Sequence, residues 1–190
     1  MIDFLNKLKY LGKIYYSITD LKKITGLKEN SLYVFLSRCV KKKIIVRLRS
    51  GIYILPDQYN KLETIANDIY SPSYLSFESA LSRYGIISQI PYRLTFATTR
   101  KTWYTTLGET TVEYRKIKSI LFTEYENNGS IYIATPEKAI IDSLYLASFG
   151  KMILDMKDIK LNDVNLNKMK KLLRIFPERT QLLAKKLLTK

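Results

Sequence analysis

The stretch from Ser17 to Leu55, SITDLKKITGLKENSLYVFLSRCVKKKIIVRLRSGIYIL, constrains the fold more than any other part of this chain. It places apolar residues at helical spacing over two short segments, then alternates them over two more. Ser17 or Thr19 offers an N-cap for a first helix carrying Leu21 and Ile24, and Gly26 suits the left-handed residue that ends one. Leu27 is placed to plug the turn. A second helix starts around Lys28–Asn30 and runs to about Lys42, with Leu32, Phe35, Leu36 and Cys39 at i, i+3, i+4 and i+7 as its buried stripe. Ile44–Leu48 and Ile52–Leu55 read as the strands of a two-stranded hairpin, joined by Arg49, Ser50 and Gly51, where the glycine suits a positive φ. Helix, turn, helix and basic-tipped hairpin in that order describe a winged helix-turn-helix, a module that reads duplex DNA.

The outer face of the second helix supplies the contacts such a module needs. Lys28, Asn30, Ser31, Tyr33, Ser37, Arg38 and Lys41 lie away from the stripe: short hydrogen-bonding groups toward the N-terminal half, and cations to hold phosphates. Arg47 and Arg49 alternate with Val46 and Leu48, so both are expected on the face opposite the packed one. With Ser50 they form the contacting tip of the wing.

Charge supports this placement. The chain has 32 Lys and Arg against 17 Asp and Glu, a net charge of +15. Residues 1–56 carry +9, residues 57–150 carry −1 and residues 151–190 carry +7, so the excess sits at the two ends. Clustered cations gain from releasing counterions held by a phosphate backbone. No signal peptide, lipidation motif or spanning apolar run is legible, so the expected location is cytoplasmic, with no membrane partner. At 46% hydrophobic, with 15 Tyr and 7 Phe, the chain has material for real cores. Its lone cysteine, Cys39, falls on the apolar stripe and reads as a core residue in a reducing compartment. There is no histidine, which removes imidazole bases, His-dependent nucleophiles and His-ligated zinc. No cofactor and no metal site is expected.

Pro56 closes the hairpin and Asp57–Asn60 reads as a linker. The expected domains are therefore a winged helix-turn-helix over 1–58 and a second domain over 59–190. The overall class is α+β, the second domain being a small antiparallel sheet with flanking helices. There, Lys61–Tyr70 and Ser76–Tyr84 read as helices, the latter with Ser76 and Ser79 as capping residues. YRLTFATT, TTVEYRKI, KSILFTEY and GSIYIAT read as strands. Thr135 caps a helix that has Pro136 at N1 and carries Ala139, Ile140, Leu144 and Ala147 inward. Two basic helices follow, Asn165–Phe176 and Glu178–Leu188. Lys168, Lys170, Lys171, Arg174, Lys185 and Lys186 crowd their polar sides as a second candidate surface for nucleic acid.

Across about residues 15–147 the chain resembles the AbiEi family of antitoxins. The runs PSYLSFESALSRYGII, TFATTRKT, TTLGETTVEYRKI and ATPEKAIIDSLYL carry the resemblance, together with GIYILP and its spacing to PSY. It departs at Lys43, where family members often have glycine, and residues 151–190 carry no matching motif. The resemblance implies a winged-helix antitoxin of a type IV toxin–antitoxin, or abortive-infection, pair active in phage defence. Such a protein represses its own operon by binding inverted or direct repeats in the promoter. It also counters an AbiEii-like nucleotidyltransferase toxin without a stable complex, and its second domain is needed for antitoxicity. The residues alone leave open another regulator, one whose C-terminal domain senses a ligand or protein partner.

An enzymatic reading is not expected. Glu78, Glu137, Lys138 and Asp142 can be assembled into a metal-dependent site on paper. Glu137, however, favours a helix start, and the others are expected on exposed helical faces.

Overall fold

The Ser17 side chain starts the turn-bearing segment in the computed structural model, which describes residues 1–189. Its hydroxyl accepts from Asp20 N at 3.1 Å while Asp20 Oδ2 accepts from Ser17 N at 2.9 Å, so two orphan amides are satisfied reciprocally. Partial burial pushes the Asp20 carboxyl upward, but Lys13 and the Ser17 hydrogen bonds outweigh it and hold it at about 2. The pair opens α2 (Ile18–Thr25), which ends at Gly26 with φ 68°.

Helix α1 (Ile2–Leu11) precedes it, separated by the short strand β1 (Tyr16–Ser17), and α3 (Glu29–Lys41) follows it. Strands β2 (Val46–Arg49) and β3 (Ile52–Ile54) form the basic-tipped hairpin, with Gly51 at φ 80°. β1 pairs with β3 on its other side, Tyr16 opposite Tyr53, so the expected two-stranded hairpin is part of a three-stranded antiparallel sheet. Two residues are too few to show a period, which is why the sequence does not reveal β1.

Phe4, Leu8, Tyr16, Leu21, Leu32, Leu36, Cys39, Ile45, Tyr53 and Leu55 make one core, with Phe35 edge-on to Phe4 at 5.0 Å. Leu27 packs on its margin. Burial pushes the Cys39 thiol above its ordinary pKa, which keeps it an unreactive core residue.

Helix α3 ends in a Schellman-type motif: Ile44 N bonds to Cys39 O at 2.9 Å, and Lys43 takes φ 55°. That conformation suits glycine, and it falls at the position where the sequence departs from its AbiEi resemblance. Lys43→Gly is therefore expected to raise stability by about 0.5 kcal/mol, the left-handed strain relieved exceeding the added unfolded-state entropy. A lowered melting temperature in differential scanning calorimetry would contradict this.

The contacts divide the chain into two compact units, Met1–Ala66 with Thr106–Glu109, and Asn67–Thr105 with Thr110–Lys190. The expected division at 58/59 thus moves into α4 (Leu62–Ile69), and Asp57–Asn60 belongs to a 3-10 helix spanning Pro56–Lys61. Pro56 pre-sets φ at its first position, so the stretch read as a linker is ordered.

Strands β4 (Ser73–Leu75), β5 (Arg93–Thr98), β6 (Trp103–Leu107), β7 (Thr110–Lys116), β8 (Tyr125–Asn127) and β9 (Tyr132–Ala134) form one six-stranded sheet, in the order β6-β7-β5-β4-β9-β8, which belongs to the second unit except for Thr106 and Leu107 at the end of β6. It is mixed: β5 runs parallel to β7 and β4 parallel to β9, while β4–β5 and β8–β9 are antiparallel. The expectation of a small antiparallel sheet is corrected, because alternation identifies a strand and not its neighbour. β4 and β6 were not expected as strands. KSILFTEY is instead a 3-10 turn at Ser119–Leu121 within irregular backbone, leaving only Tyr125 in β8.

Helix α5 (Phe77–Arg83) packs on β5 and on α6 (Pro136–Ser148), and α6 also meets α7 (Leu166–Leu173) and α8 (Glu178–Leu188). α6 is consequently buried on every side from Glu137 to Leu146, including polar positions expected outside. The architecture is mixed α+β, with eight α-helices and two sheets among the described residues. No helix among them is long and apolar enough to cross a membrane.

Candidate nucleic-acid interface

Helix α3 presents two distinct faces. Leu32, Leu36 and Cys39 are buried, which anchors the helix against rotation. Asn30, Ser31, Tyr33, Val34, Ser37, Arg38 and Lys41 are exposed together on the other side, with Tyr33 at 46% and Val34 at 53%. Lys28 is the N-cap residue and makes no side-chain capping bond. The first amides of α3 therefore remain available to an anion, with the positive end of the helix dipole behind them.

The hairpin differs in one detail from its sequence reading. A register shift between Arg47 and Arg49 breaks strict alternation, so Arg47 is exposed, Leu48 buried and Arg49 half-buried. Arg47 and Ser50 are the exposed members of this tip, and Arg49 is already engaged within the protein. A bulge adds one residue to one strand and re-aims its side chains, which no count along a single strand detects.

The basic residues of the C-terminal helices differ in their surroundings. Lys168 is half-buried and pairs with Glu124 at 3.3 Å and Glu137 at 3.6 Å, so part of its charge is already matched within the protein. Lys170, Lys171, Arg174, Lys185 and Lys186 are exposed. The buried face of α8 is Thr180, Ala184 and Leu187, while Leu182 is 51% exposed.

The four residues of the imagined catalytic site do not converge. Glu78 takes a bidentate bond from Arg115, at 2.7 and 3.1 Å. Glu137 stands in the first turn of α6, at the helix start it was expected to favour, where it is buried and accepts from Asn165 N at 3.0 Å. Lys138 and Asp142 are fully buried as an ion pair, which corrects their expected exposure. Tyr74 donates to Asp142 at 2.9 Å and accepts from Lys138 at 2.8 Å, and Ser76 Oγ donates to Asp142 at 2.9 Å. Ser76 is thus committed to the core rather than to capping, and Ser79 likewise bonds Thr95 and Arg93 across to β5. Burial lowers the Lys138 pKa and raises that of Tyr74 well above its ordinary value.

A second charged cluster lies on the sheet. Glu113 accepts from Arg93 at 2.9 Å, Arg115 at 2.9 Å and Tyr104 at 2.8 Å. Burial alone would raise its pKa, but these donors, Arg115 foremost, hold it below the ordinary value. Two clefts of about 570 and 530 Å³ open beside this cluster and share Tyr104, Glu113, Arg115 and Lys151. The sequence reading did not single out this region, although Glu113 and Arg115 stand two apart on one strand and so share a face. Among the described residues, no group of three or more Asp, Glu or Cys side chains is placed to hold a metal.

No family model matches the sequence, and no curated protein matches it. Among solved structures, the chain is similar to the crystal structure of the RV2827C protein from Mycobacterium tuberculosis. The likeness has a TM-score of 0.69 at 13% identity, covering 99% of this chain and 75% of that one. At such identity it speaks to the fold alone.

Proposed function

We propose that this protein is a DNA-binding autorepressor and antitoxin, of the AbiEi type that its sequence resembles. The first unit acts as a winged helix-turn-helix, with α3 as recognition helix and the β2–β3 hairpin as wing. The observation that carries the reading is the outer face of α3. Asn30, Ser31, Ser37, Arg38 and Lys41 are exposed together on a helix whose other side is locked into the core. Short polar groups there can meet base edges, while Arg38, Lys41 and Arg47 hold phosphates. Lys170, Lys171, Arg174, Lys185 and Lys186 offer a second phosphate-contacting surface. The regulated DNA is the promoter of its own operon, and the functional partner is a nucleotidyltransferase-like toxin countered without a stable complex. The protein works by binding and not by catalysis.

The half of this reading that concerns the toxin has its own test. Full-length protein carrying Arg38→Ala and Lys41→Ala, expressed from a neutral promoter, is expected to rescue growth against the toxin while failing to repress the operon. Loss of rescue in parallel with loss of repression would show that protection is purely transcriptional. The clefts of the second unit favour one further reading, a regulator whose second unit senses a ligand.

A further inference from the structure

We infer that the larger cleft of the second unit is a binding site for a phosphate monoester of mononucleotide size. Its lining carries four cations, Arg115, Lys116, Lys118 and Lys151, against the single carboxylate Glu113. Arg115 is 9% exposed, and its Nε is a buried nitrogen with no hydrogen-bond partner. Both terminal nitrogens of the same guanidinium are already held, by Glu78 and by Glu113. The guanidinium is therefore fixed in direction, its Nε enclosed by protein, and the charge open to a ligand comes from the lysines around it. Lys116, Lys118 and Lys151 are exposed and form no ion pair among the described residues. Three separate segments bring them to one cleft: the end of β7, the loop after it and the loop after α6. A purely structural ion cluster would balance its charges, whereas this one leaves a surplus of three positive charges facing a cavity. A dianion compensates that surplus better than a carboxylate can.

The remaining lining argues for a ring attached to the phosphate. Tyr104 is 57% exposed, and its hydroxyl is tied to Glu113, so its ring stands fixed at the mouth shared by both clefts. A fixed, exposed aromatic face beside cations is a stacking platform for a base. The cleft of about 570 Å³ has the size of a small-ligand pocket. None of these residues belongs to the proposed DNA-reading surface, so the site would provide the second unit with a ligand of its own.

The test is isothermal titration of the full-length protein with adenosine monophosphate, adenosine and inorganic phosphate. Adenosine monophosphate is expected to saturate a single site, inorganic phosphate to compete with it, and adenosine to show no saturation. Lys118→Glu with Lys151→Glu, both exposed and outside the core, is expected to weaken binding more than about tenfold. The charge-matched control Lys9→Glu with Lys22→Glu, on α1 and α2, should leave it unchanged. Equal binding of adenosine would overturn the phosphate assignment. So would undiminished binding in the Lys118/Lys151 variant, a matching loss in the control, or no saturation at millimolar nucleotide. Promoter binding measured on the same Lys118/Lys151 variant keeps this outcome separate from that of the DNA reading.

Discussion

Asp142→Ala is expected to destabilise the second unit by about 3–5 kcal/mol, the usual consequence of leaving a buried charge without its partner. Lys138 is 0% exposed, and the Phe176 ring lies 5.3 Å from its ammonium. No solvent is at hand to replace the carboxylate, and Tyr74 and Ser76 lose their shared acceptor at the same time. Against a typical domain stability of about 5–15 kcal/mol, that loss brings the unit close to unfolding at 37 °C. Trp103 is the single tryptophan and belongs to the second unit, where it stacks on Tyr114 at 5.4 Å, so its fluorescence in a urea titration reports this unit. Lys138→Met combined with Asp142→Leu is expected to recover much of the loss, because removing both charges also removes their desolvation cost. A single Asp142→Ala variant within about 1 kcal/mol of the parent would show that the pair is not buried and charged as described.

Promoter binding is expected to fall about a thousandfold between 50 and 200 mM salt, if about six phosphates are neutralised and the log–log slope is near −5. Arg47→Ala should weaken promoter and random DNA alike and reduce the slope by about one, since under the proposed reading this exposed arginine of the hairpin meets backbone phosphate. Asn30→Ala and Ser37→Ala should instead cost about 1–3 kcal/mol on the promoter with little change on random DNA, since base contacts carry sequence preference. Arg49, half-buried and engaged within the protein, is expected to contribute less to DNA than Arg47. A flat salt response would sink the DNA reading. Equal loss of preference from Arg47, Asn30 and Ser37 variants would reverse the roles assigned to wing and helix.

The contrast between these two sites explains what could be read early and what could not. The α3 face was legible because Leu32, Leu36 and Cys39 recur at the helical period, and the side opposite that stripe is exposed, with Phe35 and Val40 half-buried at its margin. The same rule failed on α6, where Lys138 and Asp142 look like an ordinary exposed i, i+4 pair. The helix is covered by α5, α7 and α8 as well as by the sheet, so it has no solvated face for them to occupy. The partners of Lys168 were hidden for a related reason: Glu124 and Glu137 are distant in sequence and meet it only in the folded chain.

The sequence by itself determined the local elements of the first unit. Ser17 with Asp20, Gly26 and Gly51 set helix starts, stops and turns through the dihedral angles they prefer, and the spacing of apolar residues chose which face goes inside. Those are short-range properties of covalent geometry, complete within a few residues. Only the tertiary structure decided the rest: the third strand at Tyr16, the mixed order of the large sheet, the burial of Lys138 with Asp142, and the gathering of Arg115, Lys116, Lys118 and Lys151 around one cleft. Each of these depends on which distant segment lies alongside, and strand periodicity and charge patterns are the same whichever neighbour the chain finds.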